Sequence, residues 1–348
     1  MAAARPDVLC HDHRRQHEAP CESHVGRPVC LTRPAGNDAC SATTPGKNGR
    51  IAFRRYLNDE HTRGAIFSVN PDGSRVRQLT HPGRNVVDTE PDWSPNGRWI
   101  VYSAWPENNS DFSRILKIRG NGRHRTPLSQ TCTDNCQSDG YPAWSPDGQQ
   151  IAFERLFAPS DPDDFNGLFA IYIMEADGTN PVRVTRQGET ADDPNRFRDH
   201  APAWSPAGSR LVFERYSISH RASAVFTVAL DGTDERRITP WRLDGAQPDW
   251  SPDGRWIVFR TQERSERHGD IFLVHPNGNG LQRVIGGQGK WLSCSFAPNG
   301  NKIQAGHVPG FGDDRAADVY VFDLDGSNIR NVTQSNAWES ASDWGPQP

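Results

Sequence analysis

Pro91-Asp92-Trp93-Ser94-Pro95-Asn96-Gly97 decides the fold, because the chain repeats it. It returns as Pro142-Ala143-Trp144-Ser145-Pro146-Asp147-Gly148, Pro202-Ala203-Trp204-Ser205-Pro206-Ala207-Gly208 and Pro248-Asp249-Trp250-Ser251-Pro252-Asp253-Gly254. A degraded copy reads Ser295-Phe296-Ala297-Pro298-Asn299-Gly300, and a shortened one reads Ser342-Asp343-Trp344-Gly345-Pro346. The aromatic anchors Trp93, Trp144, Trp204, Trp250, Phe296 and Trp344 stand 51, 60, 46, 46 and 48 residues apart. A period in this range marks one supersecondary unit copied around an axis or along a solenoid.

Each copy continues in the same way. Pro presets φ for the second turn position, Asp or Asn suits the third and Gly takes the fourth, which makes a hairpin turn. A β-rich run follows, such as Trp99-Ile100-Val101-Tyr102 or Leu211-Val212-Phe213. A third run, such as Ala170 to Met174, ends at a second Gly turn, and a fourth closes the unit, as in Val76 to Thr80. Four antiparallel strands in each of six units predict an all-β, six-bladed β-propeller over residues 46–348, with the six anchors in its core. A solenoid would need capping repeats. The chain instead shows complementary halves: Trp344 heads a unit with a first strand alone, and Lys47 to Phe53 reads as a turn and second strand without an anchor. The strand around Trp344 is expected to pair with Ile51–Phe53 and close the ring.

Trp-Ser-Pro-Asp-Gly, then Ile-Ala-Phe, a third strand and Asp-Gly-Thr resemble the repeat of the TolB-type β-propeller, over about residues 46 to 346. The same repeat occurs in the propeller domains of prolyl-oligopeptidase-like enzymes. The resemblance implies a protein- or peptide-binding scaffold, periplasmic or extracellular. TolB carries a separate α/β domain before its propeller. Residues 1–45 show no such pattern and read as a disordered tail or a wrongly assigned start.

Composition narrows the function classes. A net charge of −4 offers no global basic field, so nucleic acid is not the expected partner. No apolar run reaches the length of a membrane span. Cys10, Cys21, Cys30 and Cys40 lie among His11, His13, His17 and His24, but no pair has zinc-finger spacing. Cys132 and Cys136 flank Thr-Asp-Asn in a polar loop and are the disulfide candidate, feasible if the chain is exported. Cys294, inside a first strand, reads as a small core residue.

Up-and-down strands put both Gly turns of every unit on one face and the variable loops on the other, and the loop face is the expected binding face. Five residues before their anchors stand Asp88, Asp139, Asp199 and Glu339, with Asp244 one place further out and Trp291 breaking the series. Arg155 and Arg215 lie close by, after second strands. Two readings are open: an acidic channel mouth for a cation or basic peptide, or structural capping and pairing. Asp161, Asp163 and Asp164 leave calcium as the only cofactor in view, although Gly167 misses the required spacing. Trp105, Phe112, Tyr216, Trp241, Trp291, Phe311 and Trp338 lie outside the repeated positions and suit peptide or glycan contact.

No G-x-S-x-G is present, so no hydrolase nucleophile is expected. The enzyme alternative is a metal-dependent polyuronate lyase, with His81, His200, His220, His268 and His307 on or near the loop face, though no close-spaced pair joins them. The expectation is a monomeric, non-catalytic binding propeller.

Overall fold

The computed structural model describes residues 45–107, 113–129, 136–157, 168–186, 197–262, 269–287, 289–310 and 316–348. Apart from one short 3-10 helix at Trp241–Leu243, every regular element described is a strand. The protein is an all-β propeller with four-stranded antiparallel blades. Four sheets contain four strands each, and the remaining eight strands form one sheet. A single parallel bridge between Gly64 and Val87 joins the two halves of that larger sheet. In it the strand Glu339–Pro346 pairs antiparallel with Asn48–Tyr56, setting Ile51 opposite Trp344 and Arg55 opposite Glu339.

The repeated turn is built by its own side chains. Ser145 Oγ donates to Asp147 Oδ1 at 2.6 Å and accepts from the Gln150 amide at 2.9 Å. Gly148 then takes φ +70°, which an L side chain rarely adopts. The second turn has the same design: Asp177 Oδ1 accepts from the Thr179 amide at 2.9 Å and from its hydroxyl at 2.6 Å. The Ser-Pro serines are thus turn residues.

The fourth strands are shorter than expected. Where Val76 to Thr80 was expected, only Arg77–Gln78 pairs. A side chain ends the ladder: Thr80 Oγ1 accepts from the Ile66 amide at 2.9 Å, where a further strand residue would have served. Thr185, Thr239, Ser129 and Thr333 repeat that bond to Ile171, Val225, Ile115 and Val319.

The anchors are core. Trp93, Trp144, Trp204, Trp250, Phe296 and Trp344 are all buried and belong to the clusters that fill the spaces between sheets. Trp93 lies between two glycines: a Cβ on Gly345 would sit 2.2 Å from its ring, and one on Gly120 2.6 Å. Cys294 is a buried thiol outside any disulfide, as the strand pattern implied. No helix among the described residues is long and apolar enough to cross a membrane.

Candidate functional site

The five acidic positions are all buried, with no more than 4% of Asp88, Asp139, Asp199, Asp244 or Glu339 exposed. Register explains why. In three repeats the acid stands directly opposite an arginine of the second strand: Asp139 opposite Arg155, Asp199 opposite Arg215 and Glu339 opposite Arg55. Arg155 grips Asp139 with two bonds of 2.7 and 2.9 Å. Arg215 grips Asp199 at 2.7 and 2.8 Å, and Arg55 pairs with Glu339.

Each arginine also lies over aromatic rings of its own unit. Arg55 covers Phe53 and Phe67, Arg155 covers Phe153 and Tyr172, and Arg215 covers Phe197, Phe213 and Phe226. The guanidinium planes therefore pack as part of the sheet face. Burial works against the charge of Arg215, but Asp199 and Glu235 outweigh it and raise its pKa.

The other repeats break the pair in different ways. Asp88 faces Ala104, so it has no arginine opposite. Burial pushes its carboxyl up to about 6, against the pull of the Thr80 hydroxyl and Arg125. Arg125 reaches in from the outer edge instead and donates to the Tyr102 hydroxyl at 2.7 Å. In the Trp250 repeat the matching pair is Gly245 and Thr261, and Asp244 falls outside the register. It ends the short helix in a left-handed conformation at φ 51° and accepts from the Ser223 amide at 2.6 Å. In the Phe296 repeat Trp291 and His307 face each other, with ring centroids 4.2 Å apart.

One residue further along, a second layer joins neighbouring units. Every first strand carries a register shift against its second strand three or four residues before the anchor. Glu90, Tyr141, Ala201, Gln247 and Ala341 have positive φ there. The shift turns backbone amides toward the preceding unit. Glu154 takes up the Ala201 amide at 3.4 Å and His200 Nδ1 at 3.0 Å. Glu214 accepts from the Gln247 amide at 3.3 Å and from Gln262 Nε2 at 2.9 Å. Arg54 donates to Thr89 Oγ1 at 3.1 Å. Burial alone would lower the His200 pKa, but Glu154 reverses that and raises it.

A third set of acids escaped the sequence reading. Asp92, Asp249 and Asp343 each precede an anchor and accept the backbone N–H of the next one. Asp92 holds Trp144 at 2.6 Å, Asp249 holds Phe296 at 2.9 Å and Asp343 holds Trp93 at 2.9 Å. Burial pushes the Asp343 carboxyl up to about 7, although the Trp93 and Trp344 amides pull it down. The available signal was the contrast between Pro-Asp-Trp in some repeats and Pro-Ala-Trp in others.

The remaining candidates do not converge. Trp291 is a core residue, 5% exposed, rather than a surface aromatic, because its place in the register points it at Tyr320 and Phe322. Trp241 packs on Phe226 and stacks with His220, and Trp338 packs beside Leu292 and Val308. Trp105 packs on Tyr141 and Ala201, and Tyr216 is half-buried. His200, His220 and His307 thus belong to three separate local contacts, and His81 is exposed. Among the described residues no three His, Cys, Asp or Glu gather as a metal-binding group. Cys136 is disulfide-bonded. Cys132, the acids Asp161, Asp163 and Asp164, the rings of Phe112 and Phe311, His268 and the cysteines and histidines before residue 45 lie outside the described residues.

Comparison with known proteins agrees with this geometry. Residues 195–348 match the family model of the TolB beta propeller domain. An uncharacterized protein of Agrobacterium fabrum is 29% identical over 156 residues, which are 43% of this chain and 47% of that protein. The match thus spans about half the length of that relative. Among solved structures, TolB from Acinetobacter baumannii is similar with a TM-score of 0.66 and 18% identity, over 86% of this chain and 67% of that one. A putative TolB from Agrobacterium tumefaciens gives 0.58 at 19% identity, over 85% and 99%. An oligogalacturonate lyase in complex with manganese gives 0.55 at 13% identity, over 87% and 79%. At these identities the structural likeness is one of fold, and fold alone does not assign a function.

Proposed function

We propose that this chain is a TolB-like, non-catalytic propeller that recognises a protein or peptide partner through its loop face. One observation carries the reading: four of the five loop-face carboxylates, Asp139, Asp199, Glu339 and Asp244, are held by an arginine or a backbone amide, which makes them braces for the loops they support. Asp139 with Arg155 and Asp199 with Arg215 hold the strand ends that lead into residues 158–167 and out of residues 187–196. A rigid frame under variable loops is the usual form of a recognition surface. The partner contact set is then the loops, with Asp88 as the acidic position that lacks an arginine opposite.

The propeller is read as six-bladed and closed. The eight-stranded sheet divides at its lone parallel bridge into two four-stranded units. First strands touch one another in cyclic order, from Glu339–Pro346 through Val86–Trp93, Cys136–Trp144, Phe197–Trp204, Gly245–Trp250 and Lys290–Phe296 back to the start. Residues 46–348 then make the propeller. The bonded Cys136 supports an oxidising compartment such as the periplasm or the cell exterior.

The test is twofold. Purified protein should turn over no peptide, ester or polyuronate substrate, with or without Mn²⁺. Replacement of residues 158–167 and 187–196 by short Gly-Ser linkers should abolish capture of whatever partner the intact chain retains from an envelope extract. Metal-dependent turnover lost in His200→Ala or His307→Ala, or capture that survives both loop replacements, would refute it.

A further inference from the structure

The face opposite the loops has a feature that the binding reading leaves unused. A groove of about 860 Å³ runs there, lined by Arg50, Arg98, Arg119, Trp99, Asn121 and Pro346 among others. Asn121 also lines the adjoining depression, which adds Arg77 and Arg123. Arg77, Arg98, Arg119 and Arg123 are exposed, and so are Arg75 and Arg125 beside them. Arg50 feels the others, because burial, Arg77 and Arg75 together lower its pKa.

Among the described residues, Asp72 is the acidic side chain that lines the groove, and Asp88 acts on Arg125 from within the sheet. Most other repeats place Asp in their Gly turns, as at Asp147, Asp177, Asp231, Asp253 and Asp325, whereas the Trp93 repeat has Asn96 and Asn121 in both. Its turn face therefore carries arginine without carboxylate. Among the described residues none of Arg50, Arg75, Arg77, Arg98, Arg119 or Arg123 forms a salt bridge. On the same face of the Trp204 repeat, Arg210 and Arg236 are both paired with Asp234, at 2.7 and 2.8 Å. In a chain of net charge −4, this is a local reversal of sign.

The surroundings limit the size of what can bind. On one side Asp177 stands close enough to Lys117 to feel its charge, with Asp147 in the neighbouring turn. On the other, Arg330 donates to the Pro71 carbonyl and brings Asp323 and Asp325 of its own repeat alongside. A long polyanion would leave the basic cluster and run onto acidic turns. The ring of Trp99 already has Arg119 at 5.1 Å and Lys117 at 5.8 Å from its centroid, so it is not a free platform for a base.

From this we infer that the groove between the Trp344 and Trp93 repeats, on the turn face, docks a short acidic peptide segment whose carboxylates pair with Arg98, Arg119 and Arg123. Guanidinium forks match carboxylates two bonds at a time, and forks around a groove that hold no carboxylate give up no ion pair when one arrives.

The experiment measures fluorescence polarisation of fluorescein-labelled hexaglutamate with the full chain, against labelled hexaglutamine and an oligothymidylate of similar length. Hexaglutamate should bind, hexaglutamine should not, and binding should weaken as salt rises from about 50 to about 300 mM. Arg98→Ser with Arg119→Ser should raise the Kd about tenfold. Arg210→Ser with Arg236→Ser should leave it unchanged. If the serine pair fails to fold, Arg98→Lys with Arg119→Lys keeps the charge, removes the fork and should still weaken binding. Equal binding of hexaglutamine, tighter binding of oligothymidylate, or a folded double variant that binds as the parent does would overturn the inference.

Discussion

Asp199→Ala is the substitution that best separates brace from ligand site. In the parent, Asp199 is fully buried and accepts two bonds from Arg215, at 2.7 and 2.8 Å. Removing the carboxylate leaves a guanidinium whose side chain is only 3% exposed. Breaking a buried pair from one side costs about 3–5 kcal/mol. Glu235 still holds Arg215, which argues for the lower end, about 3 kcal/mol. At about 2–4 °C per kcal/mol the melting temperature should fall on the order of 8 °C. Thermal unfolding followed by circular dichroism reads this directly. The companion change Asp199→Leu with Arg215→Met removes both charges and should recover most of the loss, because paired apolar replacement is often neutral. A single variant that melts with the parent but loses partner binding would refute the brace reading.

Three further outcomes follow from the same geometry. Burial raises the folded pKa of Asp343 from 3.8 to about 7, so the stability tied to its protonated form is complete below about pH 4 and is lost as pH rises through about 7; Asp343→Asn should therefore gain steadily on the parent across that window, and a gap independent of pH, in melts from pH 4 to 7.5, would contradict it. Gly178 sits at φ +92° with a virtual Cβ 2.3 Å from the Leu128 carbonyl oxygen of the preceding repeat; Gly178→Ala should cost at least about 2 kcal/mol in urea unfolding, and a neutral result would mean that the repeats are not packed this closely. Thr185→Val should cost about 1 kcal/mol by leaving the buried Ile171 amide without its acceptor, with faster amide exchange at Ile171 as the local readout; unaltered exchange would count against the ladder-ending role.

The blades were legible because their signals are local and recur. Trp144, Ser145, Asp147 and Gly148 state an anchor and a turn within five residues, and the copies confirm one another. The acids before the anchors were legible as a series, but not in their role. That role depends on what stands across the strand pair: Arg155 for Asp139, Arg215 for Asp199, Ala104 for Asp88. Asp244 looked equivalent on spacing and is not, since the short helix before Gly245 displaces it from the register. The left-handed residues Glu90, Tyr141, Ala201, Gln247 and Ala341 gave no warning. None is Gly or Asn, so tertiary bonds from the neighbouring unit impose the conformation where intrinsic preference does not. The basic groove was hidden for a related reason. Arg50, Arg98, Arg119 and Arg123 are scattered over two consecutive repeats, and only the packing of those repeats side by side gathers them.

Closure through the C-terminal strand is the claim on which the braces, the groove and the loop face all depend. Deleting residues 339–348 removes the strand that pairs with Asn48–Tyr56, the anchor Trp344 and the Asp343 acceptor for Trp93. It exposes sheet edges to water and to other chains. Size-exclusion chromatography with light scattering, combined with thermal melting of the truncated chain, is the direct measurement. The closed propeller predicts a strongly lowered melting temperature and self-association. A truncated protein that stays monomeric and melts with the parent would contradict it.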